Sequence, residues 1–292
     1  MENFIKVCKM TQKDLKKYTK NTLLKLGYPK VTVGDGFVYA QGELPILLVA
    51  HLDTVHKELP KTIYYDKTKQ ILSSPEGIGG DDRCGVYMIF EIIKNHKCSV
   101  LFCEDEEIGA IGAHNFVKSS VAKGLEFNYI MEFDRKGSDD AVFYDCCNDE
   151  FETFITKKFF KTAYGSFSDI SVLAPELGCA AVNLSCGYYN AHTKDEYVVW
   201  GEMQKIIIEA CKIIKATTDA DKFEYIESIY DTKYGGYYDY YGCGDSYVIT
   251  YHNGQKVKTF ETIAQSEMEA IGQFCFEHPT MTFEKILDIQ VY

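Results

Sequence analysis

Four short apolar runs in this sequence are followed by side chains that can bind metal. The pairs are PILLVA with His51-Leu52-Asp53, SVLFC with Glu104–Glu107, YIMEF with Asp134 and, further downstream, AAVNL with His192. A fifth signal, the pair Asp81-Asp82, follows two glycines at the start of a helical pattern. Imidazole and carboxylate groups are the ligands of catalytic zinc. Their recurrence after apolar runs predicts a metal centre with hydrolytic chemistry.

Each of these signals has an ordinary explanation when it is taken alone. An acidic run is usually a solvated loop or a helix start, where carboxylates favour the positive end of the helix dipole. Asp81-Asp82 could be no more than an N-cap, and a single histidine such as His192 carries little information. The metal centre is favoured because suitable ligand types follow the apolar runs in order along the chain.

Two imidazoles and three carboxylates are enough for a pair of zinc ions. Each ion can receive one histidine, one terminal carboxylate and a share of a bridging carboxylate, with positions left for water and substrate. We assign His51 and Asp134 to one ion and Glu107 and His192 to the other. Asp81 is assigned as the bridge that binds both ions. Zinc is the expected metal, although cobalt and manganese also suit these ligands.

Two further acids and both arginines have expected roles around this centre. Asp53 can accept the second ring N–H of His51 and so fix the orientation of the imidazole. Glu106, adjacent to a ligand, is the candidate general base that takes a proton from the attacking water. Arg83 and Arg135 are the chain's only two arginines. Either they bind a substrate carboxylate or the transition-state oxygen, or they form ion pairs that support the acidic site.

The elements between these residues indicate how they are positioned. Helical patterns at Arg83–Lys94 and Gly112–Ser119 separate the first three apolar runs, and another at Gly201–Ala216 follows the fourth. Before the first run the sequence predicts a helix and two strands, at 11–26, 30–33 and 37–40. This alternation predicts an α/β fold, a three-layer α/β/α sandwich around a mostly parallel mixed sheet. Ligand sites in such sheets lie beyond the carboxyl ends of the strands, where these residues fall.

The character of the sequence changes near residue 220. We therefore predict a catalytic domain over 1–220 and a small α+β unit over 221–292. The second segment is rich in tyrosine, with nine of the chain's 22 tyrosines between 225 and 251. Its expected elements are a hairpin of strands 246–251 and 256–260 around an Asn253-Gly254 turn, a helix 261–277 and a strand 282–291. The tyrosines could line a binding surface, mediate oligomerisation, or be strand and core residues.

The composition excludes several classes of partner. A net charge of −12 argues against nucleic acid or an anionic membrane surface, because both bind clustered positive charge. No apolar run is long enough for a membrane span or typical of a signal peptide. Eleven cysteines without such a signal are expected to be reduced, which predicts a cytoplasmic protein. The sequence leaves open whether the chain forms a homo-oligomer.

The sequences of these motifs resemble those of a known enzyme superfamily. LLVAHLDTV, GIGGDDRCGV, EDEEIGAIGA, the Asp134 segment and YYNAHTKDEYV are similar, in this order, to the five motifs of the co-catalytic zinc exopeptidases. That superfamily includes peptidase T, aminoacylases, carboxypeptidases and lidless leucine-aminopeptidase-like enzymes. The resemblance covers about residues 45–200. It implies that Asp81 bridges the ions, Glu106 is catalytic and Glu107 binds metal.

The resemblance also has one departure. The peptidase T branch inserts a lid and dimerisation domain between its aspartate and final histidine ligands, and the segment from Asp134 to His192 is too short to hold one. The similar stretch Ser166–Leu173 gives Asp169 a structural role. A lidless aminopeptidase acting on small peptides is therefore the leading expectation. The alternatives are an N-acyl-amino-acid amidohydrolase, a carboxypeptidase, or a peptide-binding protein without activity.

Overall fold

The computed structural model divides the chain into two compact units. The first unit is Met1–Ser228 and the second is Ile229–Tyr292. The described residues are 1–146, 148–218, 221–226, 245–252, 256–264, 270–271, 274 and 285–291. Within these ranges, every helix is too short or too polar to cross a membrane.

The first unit alternates helices with short strands. Its helices are α1 (Glu2–Cys8), α2 (Gln12–Lys25), α3 (Gly80–Ile92), α4 (Ile111–Lys118), α5 (Asp149–Thr156), α6 (Asp169–Leu177) and α7 (Trp200–Ala216). Its strands are β1 (Val31–Gly34), β2 (Phe37–Ala40), β3 (Leu44–His51), β4 (Tyr64–Asp66), β5 (Ile71–Ser73), β6 (Cys98–Cys103), β7 (Tyr129–Arg135), β8 (Asp140–Val142), β9 (Lys161–Ala163), β10 (Ala181–Ser185), β11 (Tyr188–Tyr189) and β12 (Tyr197–Val199). Sequence periodicity misses α1, α5 and α6, which have only 7, 8 and 9 residues.

The four apolar runs form the centre of an eight-stranded sheet. The strand order is β1-β2-β6-β3-β7-β10-β8-β9. β3 is parallel to β6 and β7, and β10 is parallel to β7, whereas β2 and β8 join this centre antiparallel. The predicted α/β fold with a mixed sheet is confirmed. Because the central strands are parallel, the carboxyl ends of β3, β6, β7 and β10 lie at one edge.

Helices cover both faces of this sheet, as the sequence predicts. On one face, α1, α2, α3, α5 and α7 share a core with Leu48 and Ala50 of β3. On the other face, α4 and α6 share a core with Leu47 and Val49 of the same strand. Alternate side chains of one strand thus enter different cores, which explains why its apolar run is continuous.

A second sheet, which the sequence analysis does not predict, is antiparallel and has the order β11-β12-β5-β4. β12 pairs with β5 through Tyr197 and Ser73, and with β11 through Val198 and Tyr188. These strands have only two or three residues each, too few for a periodic signal. Their pairing brings the segment before α3 next to the segment that contains His192.

The segment between Asp134 and His192 forms no inserted domain in its described residues. It instead supplies β8, α5, β9, α6, β10 and β11, which all belong to the two sheets or to the layers on them. The first unit also continues past the predicted boundary near 220. Phe223 packs on Phe151 and Tyr129 with ring centroids 5.1 and 6.2 Å apart. The division into a catalytic domain and an accessory unit stays a prediction.

The second unit contains a three-stranded antiparallel sheet. Its strands are β13 (Asp245–His252), β14 (Val257–Ala264) and β15 (Ile286–Val291), with β13 in the middle. The two hairpin strands are confirmed, while the Asn253-Gly254 turn lies outside the described residues. The predicted helix 261–277 is wrong at its start, because residues 261–264 pair with β13 and extend β14; most of its remainder lies outside the described residues. Tyr247 and Tyr251 are core residues.

The close approach of α3 to β7 can be tested at Gly85. Replacing glycine by alanine inside a helix normally stabilises it by up to ~1 kcal/mol. At Gly85, however, a methyl group would overlap the backbone carbonyl oxygen of Phe133. We expect Gly85→Ala to lower the free energy of unfolding by ~1–3 kcal/mol, the typical cost of overpacking.

A matched control for this measurement is Gly201→Ala in α7. The added methyl group there would meet only the end of the flexible Gln70 side chain. We expect this variant to be as stable as the wild type or slightly more stable. Denaturant unfolding compares the two variants, and a neutral Gly85→Ala would contradict the packing described here.

Candidate metal centre

The first group of candidate ligands lies where β3 and β7 end. His51 is the last residue of β3, and its side chain is 1% exposed. Its Nδ1 donates to Asp53 Oδ1 at 3.2 Å, which turns Nε2 toward the other candidates. That Nε2 lies 3.1 Å from Asp81 Oδ1 and 3.3 Å from Asp134 Oδ1. One imidazole nitrogen and two carboxylate oxygens therefore face one another.

The second group shares Asp81 with the first. The second oxygen of Asp81, Oδ2, lies 3.1 Å from Nε2 of His192. The same nitrogen lies 3.1 Å from Oε2 of Glu107. All five residues that the sequence proposes as ligands are thus brought together, in two groups that share Asp81. Asp81 lies between the two groups, with one oxygen turned to each.

The turn at the start of α3 directs the side chain of Asp81 into the cluster and that of Asp82 toward the backbone of β3 and α3. Gly79 has a left-handed backbone, and neither Asp81 nor Asp82 has helical dihedral angles. Regular helix therefore begins at Arg83, as the sequence predicts. The carboxylate of Asp82 accepts the backbone N–H groups of His51 at 3.1 Å and Gly85 at 2.8 Å. Asp82 thereby connects the end of β3 to the start of the helix.

Asp53 connects the ends of two neighbouring strands. Besides the ring of His51, its carboxylate accepts the backbone N–H groups of Glu106 and Glu107, each at 3.1 Å. Although burial alone would raise the pKa of Asp53, these hydrogen bonds outweigh it and hold the pKa below its usual value. The predicted contact with His51 is present, and the two backbone contacts add a role in positioning that the sequence does not indicate.

Burial and charge shift the pKa values of the cluster. Burial raises the pKa of Asp134 well above its usual range, and the charge of Asp81 adds to this. Burial also raises the pKa of Glu106 to about 7. In Asp81, by contrast, hydrogen bonds from His192 and His51 overcome the effect of burial and hold the pKa low. The ionised carboxylates are therefore stabilised where positive charge faces them.

The donor set fits two divalent cations. Each group offers one imidazole and two carboxylates, and their ligand atoms lie within 4.8 Å of one another. Oε1 of Glu107 is buried and has no hydrogen-bond partner among the described residues. A cation within each group would attract the carboxylates. It would thereby offset the repulsion between Asp81 and Asp134 that contributes to the raised pKa of Asp134. The residues present thus have the chemistry and spacing that two such ions require.

A second layer of polar residues, largely missed by sequence reasoning, supports Asp134 from the sheet. Asn183 on β10 accepts the backbone N–H of Asp134 at 2.9 Å and donates to its carbonyl oxygen at 3.2 Å. Ser168 donates to buried Glu132 at 2.6 Å, and its oxygen lies 3.3 Å from Asp134 Oδ2. Asp169 is buried at the start of α6. The sequence does contain a signal for these supporting residues, because the apolar runs AAVNL and YIMEF each include one polar residue, Asn183 and Glu132.

Both arginines are already engaged by the protein. Arg83 is buried, and its guanidinium donates to the backbone carbonyl groups of Leu52 and Asp53. Nε of Arg135 donates to Asp140 at 3.1 Å. Arg135 thus forms an ion pair with Asp140, whereas the partners of Arg83 are backbone carbonyl groups and not carboxylates. A role of either arginine in binding substrate stays a prediction.

No protein-family model and no curated protein sequence matches this chain. Solved structures do match it. The aminopeptidase PepT of Bacillus cereus has 15% identity and a TM-score of 0.59, covering 73% of this chain and 96% of its own. A tripeptidase of Staphylococcus aureus has 13% identity and a TM-score of 0.57, with the same coverages of 73% and 96%. A glutaminyl cyclase of Tannerella forsythia has 12% identity and a TM-score of 0.54, covering 74% and 96%.

These similarities define the class of fold. The chain has the α/β fold found in aminopeptidases, as the resemblance of its motifs predicts. A cyclase shares the same fold, so the reaction has to be argued from the site itself.

The positioning role of Asp53 can be tested by Asp53→Ala in protein stripped of metal. The substitution leaves two backbone N–H groups and a buried imidazole without their acceptor, and we expect the free energy of unfolding to fall by about 2 kcal/mol or more. Asp66→Ala is the matched control, because Asp66 also accepts two backbone N–H groups, those of Thr68 and Lys69, in an exposed turn. Equal losses in denaturant unfolding would contradict the role of Asp53.

Proposed function

We propose that this protein is a dimetal aminopeptidase that removes N-terminal residues from small peptides. The strongest support is the position of Asp81, whose two oxygens each lie 3.1 Å from a different imidazole, those of His51 and His192. A carboxylate shared in this way is typical of the bridge in a two-ion site, and aminopeptidases are among the enzymes that use such sites.

In this proposal His51 and Asp134 would hold one ion, Glu107 and His192 would hold the other, and Asp81 would be shared by both. Zinc is the proposed metal, and cobalt or manganese would suit the same ligands. The chemistry that two divalent ions supply at such a site is activation of a water molecule and polarisation of the scissile carbonyl group.

Glu106 is the proposed general base. Its carboxylate is partly exposed at the cluster, and Asp53 fixes its backbone N–H at 3.1 Å. As the oxygen of the attacking water bonds to the carbonyl carbon, Glu106 takes a proton from that water. It then gives the proton to the leaving nitrogen as the carbon–nitrogen bond breaks. Asp53 contributes by positioning both this base and His51.

The recognised end of the substrate in this proposal is its amine rather than its carboxylate. Arginine is well suited to bind a carboxylate through two hydrogen bonds, and both arginines already have partners in the protein, Arg83 backbone carbonyls and Arg135 the carboxylate of Asp140. Two structures with the same fold are called an aminopeptidase and a tripeptidase, which supports the choice of small peptides.

The proposed role of Glu106 as general base can be tested with the substitution Glu106→Gln. The variant should still bind about two zinc ions per chain, because Glu106 is not a proposed ligand. It should lose hydrolysis of di- and tripeptides by roughly 10²–10⁴-fold, the contribution of a general base. Glu104→Gln is the matched control from the same acidic run, since Glu104 pairs with Lys16; it should keep both ions and activity. Activity retained by Glu106→Gln would exclude this base.

The terminus that the enzyme recognises is tested with paired substrates. We expect a tripeptide with a free N-terminus to be cleaved faster than its N-acetylated form, and amidation of its C-terminus to matter little. The reverse preference would select the N-acyl-amino-acid amidohydrolase or carboxypeptidase. If metal binds but neither substrate is cleaved, a peptide-binding protein on this scaffold becomes the better explanation.

The proposed location is the cytoplasm. All eight cysteines whose side chains are described are free thiols, which is typical of a reducing compartment. Light scattering on the sample used for kinetics would establish whether the chain is a homo-oligomer.

A further inference from the structure

A buried carboxylate that is not among the proposed ligands lies directly behind the turn that presents Asp81. Glu196 is 0% exposed. Its Oε1 accepts the backbone N–H of Asp81 at 2.9 Å, and its Oε2 accepts that of Gly79 at 2.8 Å. Both oxygens of one side chain therefore hold the backbone of the same short turn. A buried carboxylate with two backbone donors is a directional contact, since each oxygen has its own partner.

His56 is a further hydrogen-bond partner of the Glu196 carboxylate. Its Nε2 lies 2.8 Å from Oε2 of Glu196, and its side chain is 9% exposed. The ring also lies against Gly77, where an added Cβ would fall 2.5 Å from Nδ1. His56 is thus confined between Glu196 and the turn, and it orients the carboxylate as the turn requires.

The same turn is seated closely on the second sheet. A Cβ at Gly80 would lie 2.8 Å from Cβ of Tyr188 and 2.9 Å from Cγ2 of Val198. These neighbours belong to β11 and β12, the strands on either side of the loop that contains His192. The turn is therefore closely packed against these two strands as well as hydrogen-bonded to Glu196.

Glu196 therefore connects two of the proposed ligands. It follows His192 by four residues in the same segment, and it binds the backbone of Asp81. Asp81 Oδ2 and His192 Nε2 lie 3.1 Å apart, close enough for both to face one ion. Because Glu196 joins the backbone of one to the segment of the other, it sets the distance between them.

We infer that Glu196, oriented by His56, is a positioning residue that holds Asp81 and His192 at the spacing required by the ion between them. This inference rests on the proposed function, because it assumes that the cluster binds two ions. It extends that function to a pair of residues that lie outside the ligand set and need not touch the substrate. Partners behind metal ligands typically change metal affinity or activity by ~10–100-fold.

The test is Glu196→Gln, measured by titration of the chelator-stripped protein with Zn²⁺ against a competing chromophoric chelator. A glutamine amide offers one acceptor oxygen, and its NH₂ group would meet the second backbone N–H, so the turn must shift. We expect the ion held by Glu107 and His192 to bind ~10–100-fold more weakly. The other ion shares Asp81, and we expect its affinity to fall less. For peptide hydrolysis at limiting Zn²⁺ we expect kcat to fall while KM stays near the wild-type value.

Glu202→Gln is the matched control. Glu202 lies in the neighbouring helix α7 and accepts one hydrogen bond, from the Tyr189 hydroxyl at 2.6 Å, without touching the turn. We expect Zn²⁺ affinity and kcat to be unchanged in this variant. A similar loss in both variants would indicate general damage to this region rather than positioning by Glu196.

The His56 variants provide a second measurement if Glu196→Gln fails to fold. His56→Gln keeps an N–H donor toward Glu196 and should retain most of the affinity for the ion held by Glu107 and His192. His56→Leu removes the donor and should lose affinity in the same direction as Glu196→Gln. Equal affinities for His56→Leu and the wild type would overturn the inference.

The outcomes separate the inference from the function on which it rests. A wild-type protein that binds no Zn²⁺ would overturn the dimetal proposal itself. A wild-type protein that binds two ions, together with a folded Glu196→Gln variant of unchanged Zn²⁺ affinity and kcat, would overturn only the role of Glu196.

Discussion

The first unit has to keep several carboxylates within a few ångströms of one another at a single buried edge of its sheet. Asp81 is the centre of this constraint, because its two oxygens face two imidazoles that come from distant parts of the chain. Burial and mutual repulsion oppose the ionised acids, as the raised pKa values of Asp134 and Glu132 indicate. Such a cluster persists only where positive charge and fixed hydrogen-bond donors balance the repulsion. Much of the surrounding structure provides that balance.

The chain uses acidic residues in two different ways at this edge. Some face the cluster and are the proposed ligands of the cations. Others accept backbone N–H groups and fasten the turns: Asp53 holds the loop after β6, Asp82 joins β3 to α3, and Glu196 holds the turn before α3. Each fastening carboxylate replaces the water that a backbone N–H loses on burial, so the turns keep their shape without regular secondary structure. This double use accounts for part of the chain's negative charge.

The fold narrows the function without deciding it. Two peptidases and a cyclase share this architecture at low identity. The features that support the proposed peptide hydrolysis are local: a carboxylate that faces two histidines, and the proposed base Glu106, whose carboxyl group feels the charge of that carboxylate. The segment where peptidase T-like enzymes insert a lid is built into the sandwich here, as α5, α6 and their flanking strands.

Sequence alone determined the features that depend on local pattern and residue type. Continuous apolar runs specified the central strands, and the side chains after them specified which residues meet, because parallel strands end at one edge. It failed where the signal was short or nonlocal. The strands of the second sheet are too brief to show a period, and the start of the predicted helix 261–277 became strand because pairing with β13 outweighed local preference. Tertiary structure alone decided that Asp53 and Glu196 hold backbone turns, and that Arg83 lies on carbonyl groups. Those roles depend on distance and direction between segments far apart in the chain, which residue order does not encode.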